Sequence, residues 1–282
     1  MAGLVCEGGA YRCSFTAGVL DALLDKKIFF KRVYGVSAGA ANAVNYVSGQ
    51  RGRNLEITRV NLAHRDTMSW KNFFKARSIM DVEFVFRTVP KELIPFSLEQ
   101  FFTSRSEMYI GVTNASTGRC EYFDRNRFDP DYRLVQASCS IPLLFPSVKL
   151  GDARYFDGGL ADPIPLARAL FDGNDKNLVI LTRPRGFIRP QTKQDRTAAR
   201  LLAPRYPKLA SALKNRAQIY NAQTALCAKE EQNGSAVILA PLDLSNYSSF
   251  ERSFEKQKSL YEEGYHAALT RLPEIAALTQ TS

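Results

Sequence analysis

Apolar and polar positions alternate between two periods along the first fifty residues. Gly3–Cys6 (GLVC) is a short apolar run cut by Gly8-Gly9 and predicts a buried strand. In the following SFTAGVLDALLDKK, the residues Phe15, Val19, Leu20, Leu23 and Leu24 form one helical stripe behind Ser14 as N-cap. KRVYGV predicts a second strand, and AGAANAVNYVSG a second helix ending at Gly49. A strand-helix-strand-helix start implies a parallel sheet with both strand-to-helix turns at the same end, so Gly8-Gly9 and Ser37 should be neighbours. Further on, EMYIGVTNASTGRCEYFDR predicts a hairpin turning at Ala115–Gly118, and PDYRLVQASCSIP a short helix stopped by Pro142. SVKLGDARYFDGG predicts a second hairpin running into Asp157. PIPLARALFDG reads as a helix and NLVILT as a central parallel strand. A long helix over roughly 206–231, a strand at SAVILAP and a helix from about Ser253 to Leu272 complete the pattern.

With 282 residues and no internal repeat or low-complexity linker, this is expected to be one α/β domain over 1–282: a largely parallel central sheet with helices on both faces. Residues 183–216 form a basic surface segment in this scheme, and 217–282 a helix-strand-helix that completes the fold. The five cysteines, Cys6, Cys13, Cys120, Cys139 and Cys227, have no CxxC spacing and no histidine beside them, so neither a disulfide framework nor a metal site is expected. The N-terminus lacks a basic-then-apolar leader, and no 18-residue apolar stretch exists, so a cytoplasmic protein is expected.

Charge is concentrated. Residues 183–216 hold ten Lys/Arg and one acid, Asp195, and so carry nearly all of the net +10. Such a run either touches an anionic membrane peripherally or forms a solvated face. Its only aromatic residues are Phe187 and Tyr206, too few to stack bases, so no nucleic-acid partner is expected.

The candidate chemistry starts at Gly35-Val36-Ser37-Ala38-Gly39, a G-x-S-x-G between an apolar strand and an apolar helix. A serine hydroxyl needs a base in hydrogen-bond reach and donors aimed at the developing oxyanion. Backbone N–H groups of Gly8, Gly9 and Ala10, ahead of the first helix, are candidate donors. Both histidines, His64 and His266, sit in helix-like stretches without the turn that presents a catalytic imidazole, which leaves a carboxylate. Asp157, followed by Gly158-Gly159, is the candidate base; Asp162, ahead of Pro163, is its rival. A carboxylate of ordinary pKa about 3.9 is a weak base, and a dry pocket would raise it.

Glu7-Gly8-Gly9-Ala10-Tyr11-Arg12-Cys13, the elbow Gly35–Gly39, Asp157-Gly158-Gly159 and the stretch ASCSIPLLFP at 137–146 together resemble the patatin-like phospholipases, over roughly residues 4–182. The resemblance implies a three-layer fold, lipid acyl hydrolysis by a Ser37–Asp157 dyad without histidine, an oxyanion hole at Gly8, Gly9 and Ala10, support from Gly35, Gly39, Arg12, Gly158 and Gly159, and no cofactor. It departs at Glu7, Ala10 and Cys13, where the family commonly has Asp, Gly and Gly; the Ala10 methyl narrows the backbone if a positive φ is needed. Arg12 either braces the turn or meets a phosphate. The expected substrate is an acyl lipid or ester. Apolar residues at 70–102 (WKNFF, VEFVF, LIPFSLEQFF) line an acyl channel or are ordinary core. A catalytically weak acyl-binding protein and an acyltransferase are the alternatives that use the same residues.

Overall fold

The computed structural model of the chain describes residues 1–64, 67, 72–73 and 78–280. Strands β1 (Ala2–Cys6) and β2 (Arg32–Val36) flank helix α1 (Ser14–Asp25), and α2 (Ala38–Val47) and α3 (Arg53–Ala63) follow. A π-helix, Phe84–Leu93, then precedes α4 (Leu98–Thr103). Next come the hairpin β3 (Glu107–Asn114) and β4 (Cys120–Asp124), α5 (Arg133–Ser138), the hairpin β5 (Val148–Leu150) and β6 (Ala153–Asp157), α6 (Leu166–Phe171) and β7 (Lys176–Ile180). The last part runs α7 (Lys193–Leu202), α8 (Pro207–Lys214), α9 (Arg216–Gln232), β8 (Ala236–Leu239), α10 (Phe254–Thr270) and α11 (Leu272–Gln280).

One mixed, mostly parallel sheet has the order β5-β6-β3-β2-β1-β7-β8, with β4 also paired to β3. The β1–β2, β2–β3, β1–β7 and β7–β8 pairs are parallel; the two hairpins and β3–β6 are antiparallel. Alternate residues of each strand enter opposite cores, as the two-residue period of a strand requires. Leu4, Cys6, Leu178, Ile180, Val237 and Leu239 pack with α1, α2 and α10 on one face. Val5, Val179, Ala236 and Ile238 pack with Leu166, Ala169, Tyr220 and Cys227 on the other. Helices on both faces explain why the central strands read as continuous apolar runs.

The expected single helix over 206–231 is instead two helices, α8 and α9, divided at Asn215, whose N–H donates to the carbonyls of Ser211 and Ala212. Leu209, Ala210 and Leu213 of α8 bury against Phe156 and Leu160, while Tyr220 and Cys227 of α9 bury in the sheet-face cluster. One straight helix cannot turn its stripe to both surfaces. The basic segment is likewise more than a solvated face, because Ala199 and Leu202 of α7 join that same Phe156 and Leu160 cluster. The pattern also missed α3, the π-helix and α11, which begins with Pro273 in its first turn, where the missing N–H costs nothing.

Candidate active site

Parallel pairing of β1 and β2 brings their C-terminal turns together, as the chain order requires. A Cβ built on Gly8 would lie 3.0 Å from the Ser37 Cβ, and one on Gly39 would meet the Glu7 carbonyl. Only a small residue at each position lets the two turns approach this closely. Ser37 itself has φ 54° and ψ −136°, a sparsely populated conformation that lifts it out between β2 and α2. Its N–H donates to Ser138 Oγ at 2.8 Å, and Ser138 Oγ donates to the Gly111 carbonyl at 2.7 Å, which pins the elbow to β3. The sequence reading did not single out Ser138; the only sign of it was the ASCSIPLLFP stretch.

Ser37 Oγ donates to Asp157 Oδ2 at 2.7 Å, across 120 residues of chain. Asp157 ends β6, and its other oxygen accepts the Gly159 N–H at 2.7 Å. Its carbonyl accepts from Thr113 Oγ1 at 2.8 Å, and its N–H donates to the Ser140 carbonyl at 2.9 Å. Gly158 is required by packing, since a Cβ there would collide with the Gly111 carbonyl. Asp157 is 3% exposed. Burial raises its pKa; the Ser37 hydroxyl, the charge of Arg216 and the Gly159 N–H offset part of that rise.

Asp162, the rival acid, is engaged elsewhere. It accepts from Tyr122 Oη and from Gln223 Nε2, both at 2.5 Å, and burial raises its pKa to about 6. His64 stacks on Phe84 with ring centroids 3.9 Å apart, and His266 lies exposed on α10. Neither lines a cleft that contains Ser37. Two thiols, Cys13 and Cys139, do line one. Burial pushes Cys13 up to about 12 and Cys139 well above its ordinary value, so neither is a thiolate at neutral pH.

In the glycine turn, Ala10 takes φ 50°, the left-handed region that the commoner glycine would enter freely. The Gly8 N–H donates to the Pro163 carbonyl at 3.3 Å. The Gly9 and Ala10 N–H groups have no acceptor among the described residues, nor has that of Ala38 in the first turn of α2. Arg12 braces the turn: its Nε donates to the Thr182 carbonyl at 3.1 Å and its Nη1 to Ser249 Oγ. Glu7 is buried and accepts the Thr182 N–H at 2.5 Å.

Ser37 lies where two clefts meet. One, of about 190 Å³, is lined mainly by apolar side chains, among them Ala41, Val44, Ile57, Val85, Phe86 and Phe145. The other, of about 520 Å³, holds Asp157, the glycine turn and four arginines, Arg12, Arg183, Arg189 and Arg216. Of the aromatic stretches proposed for an acyl channel, Val85, Phe86, Val89 and Pro90 of the π-helix reach the apolar cleft. Phe96 and Phe101 instead pack with Phe128 and Tyr132, and Trp70, Lys71 and Phe74 lie outside the described residues.

The sequence matches the model of the family described as patatin-like phospholipase over residues 4–170. The chain belongs to this family. Residues 206–280 match a second family, described only as a domain of unknown function (DUF6363). A relative in Escherichia coli (strain K12), uncharacterized protein YjjU, is 29% identical over 189 residues, covering 64% of this chain and 52% of its own length, so the chain spans about half of that relative. Uncharacterized protein YqhO of Bacillus subtilis (strain 168) is 25% identical over 92% of this chain and 94% of its own length. The crystal structure of VipD from Legionella pneumophila shares the fold, with a TM-score of 0.50 and 12% identity over 98% of this chain and 67% of that one. Among the described residues, no helix is long and apolar enough to cross a membrane and no cluster of ligating side chains could hold a metal ion.

Proposed function

We propose that the protein is a serine acyl hydrolase that cleaves fatty-acyl esters through Ser37 and Asp157. The observation that carries this reading is the 2.7 Å bond from Ser37 Oγ to a buried carboxylate, in clefts that neither histidine reaches. Asp157 Oδ2 takes the hydroxyl proton as Ser37 Oγ bonds to the ester carbonyl carbon. The oxyanion that forms is held by the free N–H groups of Gly9 and Ala10, with Gly8 sharing its donor with Pro163. The ester C–O bond then breaks, and Asp157 returns the proton to the departing alcohol oxygen. Water, deprotonated by Asp157, attacks the acyl carbon; the bond to Ser37 Oγ breaks, Asp157 returns the proton to Oγ, and the fatty acid leaves. A carboxylate raised by burial suits both proton transfers better than an ordinary one. The apolar cleft beside Ser37 takes the acyl chain.

Ser37→Ala and Asp157→Asn are each expected to lower hydrolysis of short-chain nitrophenyl esters by about a thousandfold or more, and His266→Ala to leave most of it. Loss of activity in a folded His266→Ala protein, or failure of a fluorophosphonate probe to label Ser37, would count against the dyad.

A further inference from the structure

Ten cations of the basic segment share one sign but not one surroundings. Lys193, Arg196, Arg200, Lys208 and Lys214 are exposed, and Arg185 pairs with Glu231 at 2.5 Å. Arg183, Arg189 and Arg216 instead point into the larger cleft, where they face Ser37 and Asp157. Between Arg189 and Arg216 in the chain, α7 and α8 bury their apolar sides on Phe156 and Leu160, the neighbours of Asp157. Gln223 of α9 fastens the same wall, accepting the Ile164 N–H at 2.9 Å while donating to Asp162.

These arginines are short of counter-charge. Arg189 and Arg216 share one carboxylate, Asp195, each at 3.4 Å. The Nε of Arg189 is buried without a partner among the described residues. Arg183 has no carboxylate partner among the described residues; its guanidinium lies 4.4 Å from the Phe187 ring centroid. Arg12 adds a fourth guanidinium. The acids in the wall of the cleft are Glu7, engaged with the Thr182 N–H, and Asp157, engaged with Ser37. Burial lowers the pKa of Arg183 and of Arg189, and the charges of Arg12 and Arg216 respectively lower them further, as expected for cations crowded together away from water. Guanidinium forks match phosphate oxygens in planar, two-pronged geometry.

We propose that Arg183, Arg189 and Arg216 form an anion subsite in the cleft of Ser37, which takes the phosphate of an acyl-ester substrate whose chain lies in the apolar cleft. Residues 183–232, beyond the match at 4–170, thereby supply the wall that selects an anionic acyl donor. The assignment rests on the reading of Ser37 as the nucleophile.

The test is calorimetric titration of the whole chain with n-octyl phosphate below its micelle concentration, with 1-octanol and with inorganic phosphate. Octyl phosphate is expected to bind about tenfold or more tightly than either of the others. Arg183→Gln and Arg189→Gln should each weaken octyl phosphate by about tenfold, and the exposed Arg200→Gln by less than about twofold. Among the described residues Arg183 makes no side-chain hydrogen bond that its loss would strand, so Arg183→Gln serves even if Arg189→Gln fails to fold. Equal binding of octyl phosphate and octanol overturns the subsite, as does an equal loss in Arg200→Gln. Inorganic phosphate binding as tightly as octyl phosphate would make this a free-phosphate site and overturn the substrate assignment. Binding needs no turnover: an unlabelled Ser37 with this binding pattern intact rejects the nucleophile alone, and a labelled Ser37 with flat binding rejects the subsite alone.

Discussion

At the scale of single residues, the site is a set of individually costly choices held by their surroundings. Ser37 in its strained turn and Ala10 at positive φ each cost on the order of 1–3 kcal/mol. Asp157 is a buried carboxylate with no cation bonded to it among the described residues. Its folded pKa lies above the ordinary value, so its contribution to stability is greatest below about pH 4 and is lost as pH rises through the folded pKa. Asp157→Asn removes that charge, and its side-chain oxygen still accepts the Gly159 N–H. The variant should therefore melt above wild type at pH 8. The gap should close as pH falls toward 4, followed by circular dichroism. A variant less stable than wild type at pH 8 would mean that the carboxylate charge is a net stabiliser. Ser37 and Asp157 were legible in the sequence because each sits in a glycine-flanked turn. Ser138 was not, because its role depends on β3 lying alongside.

At the scale of elements, the contact of α1 with α10 brings backbones close enough to exclude any side chain. A Cβ on Gly18 would strike the Tyr261 carbonyl, and one on Gly264 the Phe15 carbonyl. Around this crossing, Ser14 Oγ donates to Gln257 Oε1 at 2.5 Å, and Tyr261 Oη to Asp21 at 2.7 Å. Gly264→Ala should raise intrinsic helix propensity yet destabilise the protein by about 2–3 kcal/mol, because the collision is with backbone that cannot rotate away. Urea unfolding checks this; a neutral or stabilised variant would show that the helices can part without loss. The same crossing explains a limit of the sequence pattern. Helical periodicity marked α1 and α10, but nothing in either stripe says that they meet. The break at Asn215 was hidden for a similar reason, since no glycine or proline marks it and the two halves differ only in which surface they cover.

At the scale of the whole molecule, the match at 206–280 is built into the match at 4–170. β8 extends the sheet beside β7, α10 covers α1, and α9 holds Asp162 and Ile164 through Gln223. We therefore expect a chain ending at residue 205 to be insoluble or unfolded, with β7 left as an open sheet edge on the side that β8 covers and the apolar face of α1 bare. A soluble, cooperatively melting 1–205 fragment would contradict the single-domain proposal. The amino-acid sequence by itself determined the strands, the first two helices, the strand-turn-helix junctions and the residue types able to do chemistry, because periodicity and turn composition act over a few residues. It also determined that the glycine turn and Ser37 adjoin, because consecutive parallel strands leave little alternative. Only the tertiary structure decided which acid faces Ser37, which N–H groups stay free, and that three arginines of a seemingly superficial run enter its cleft. Those outcomes depend on contacts between segments far apart in the chain, 120 residues for Ser37 and Asp157, whose geometry is set by packing of the whole core.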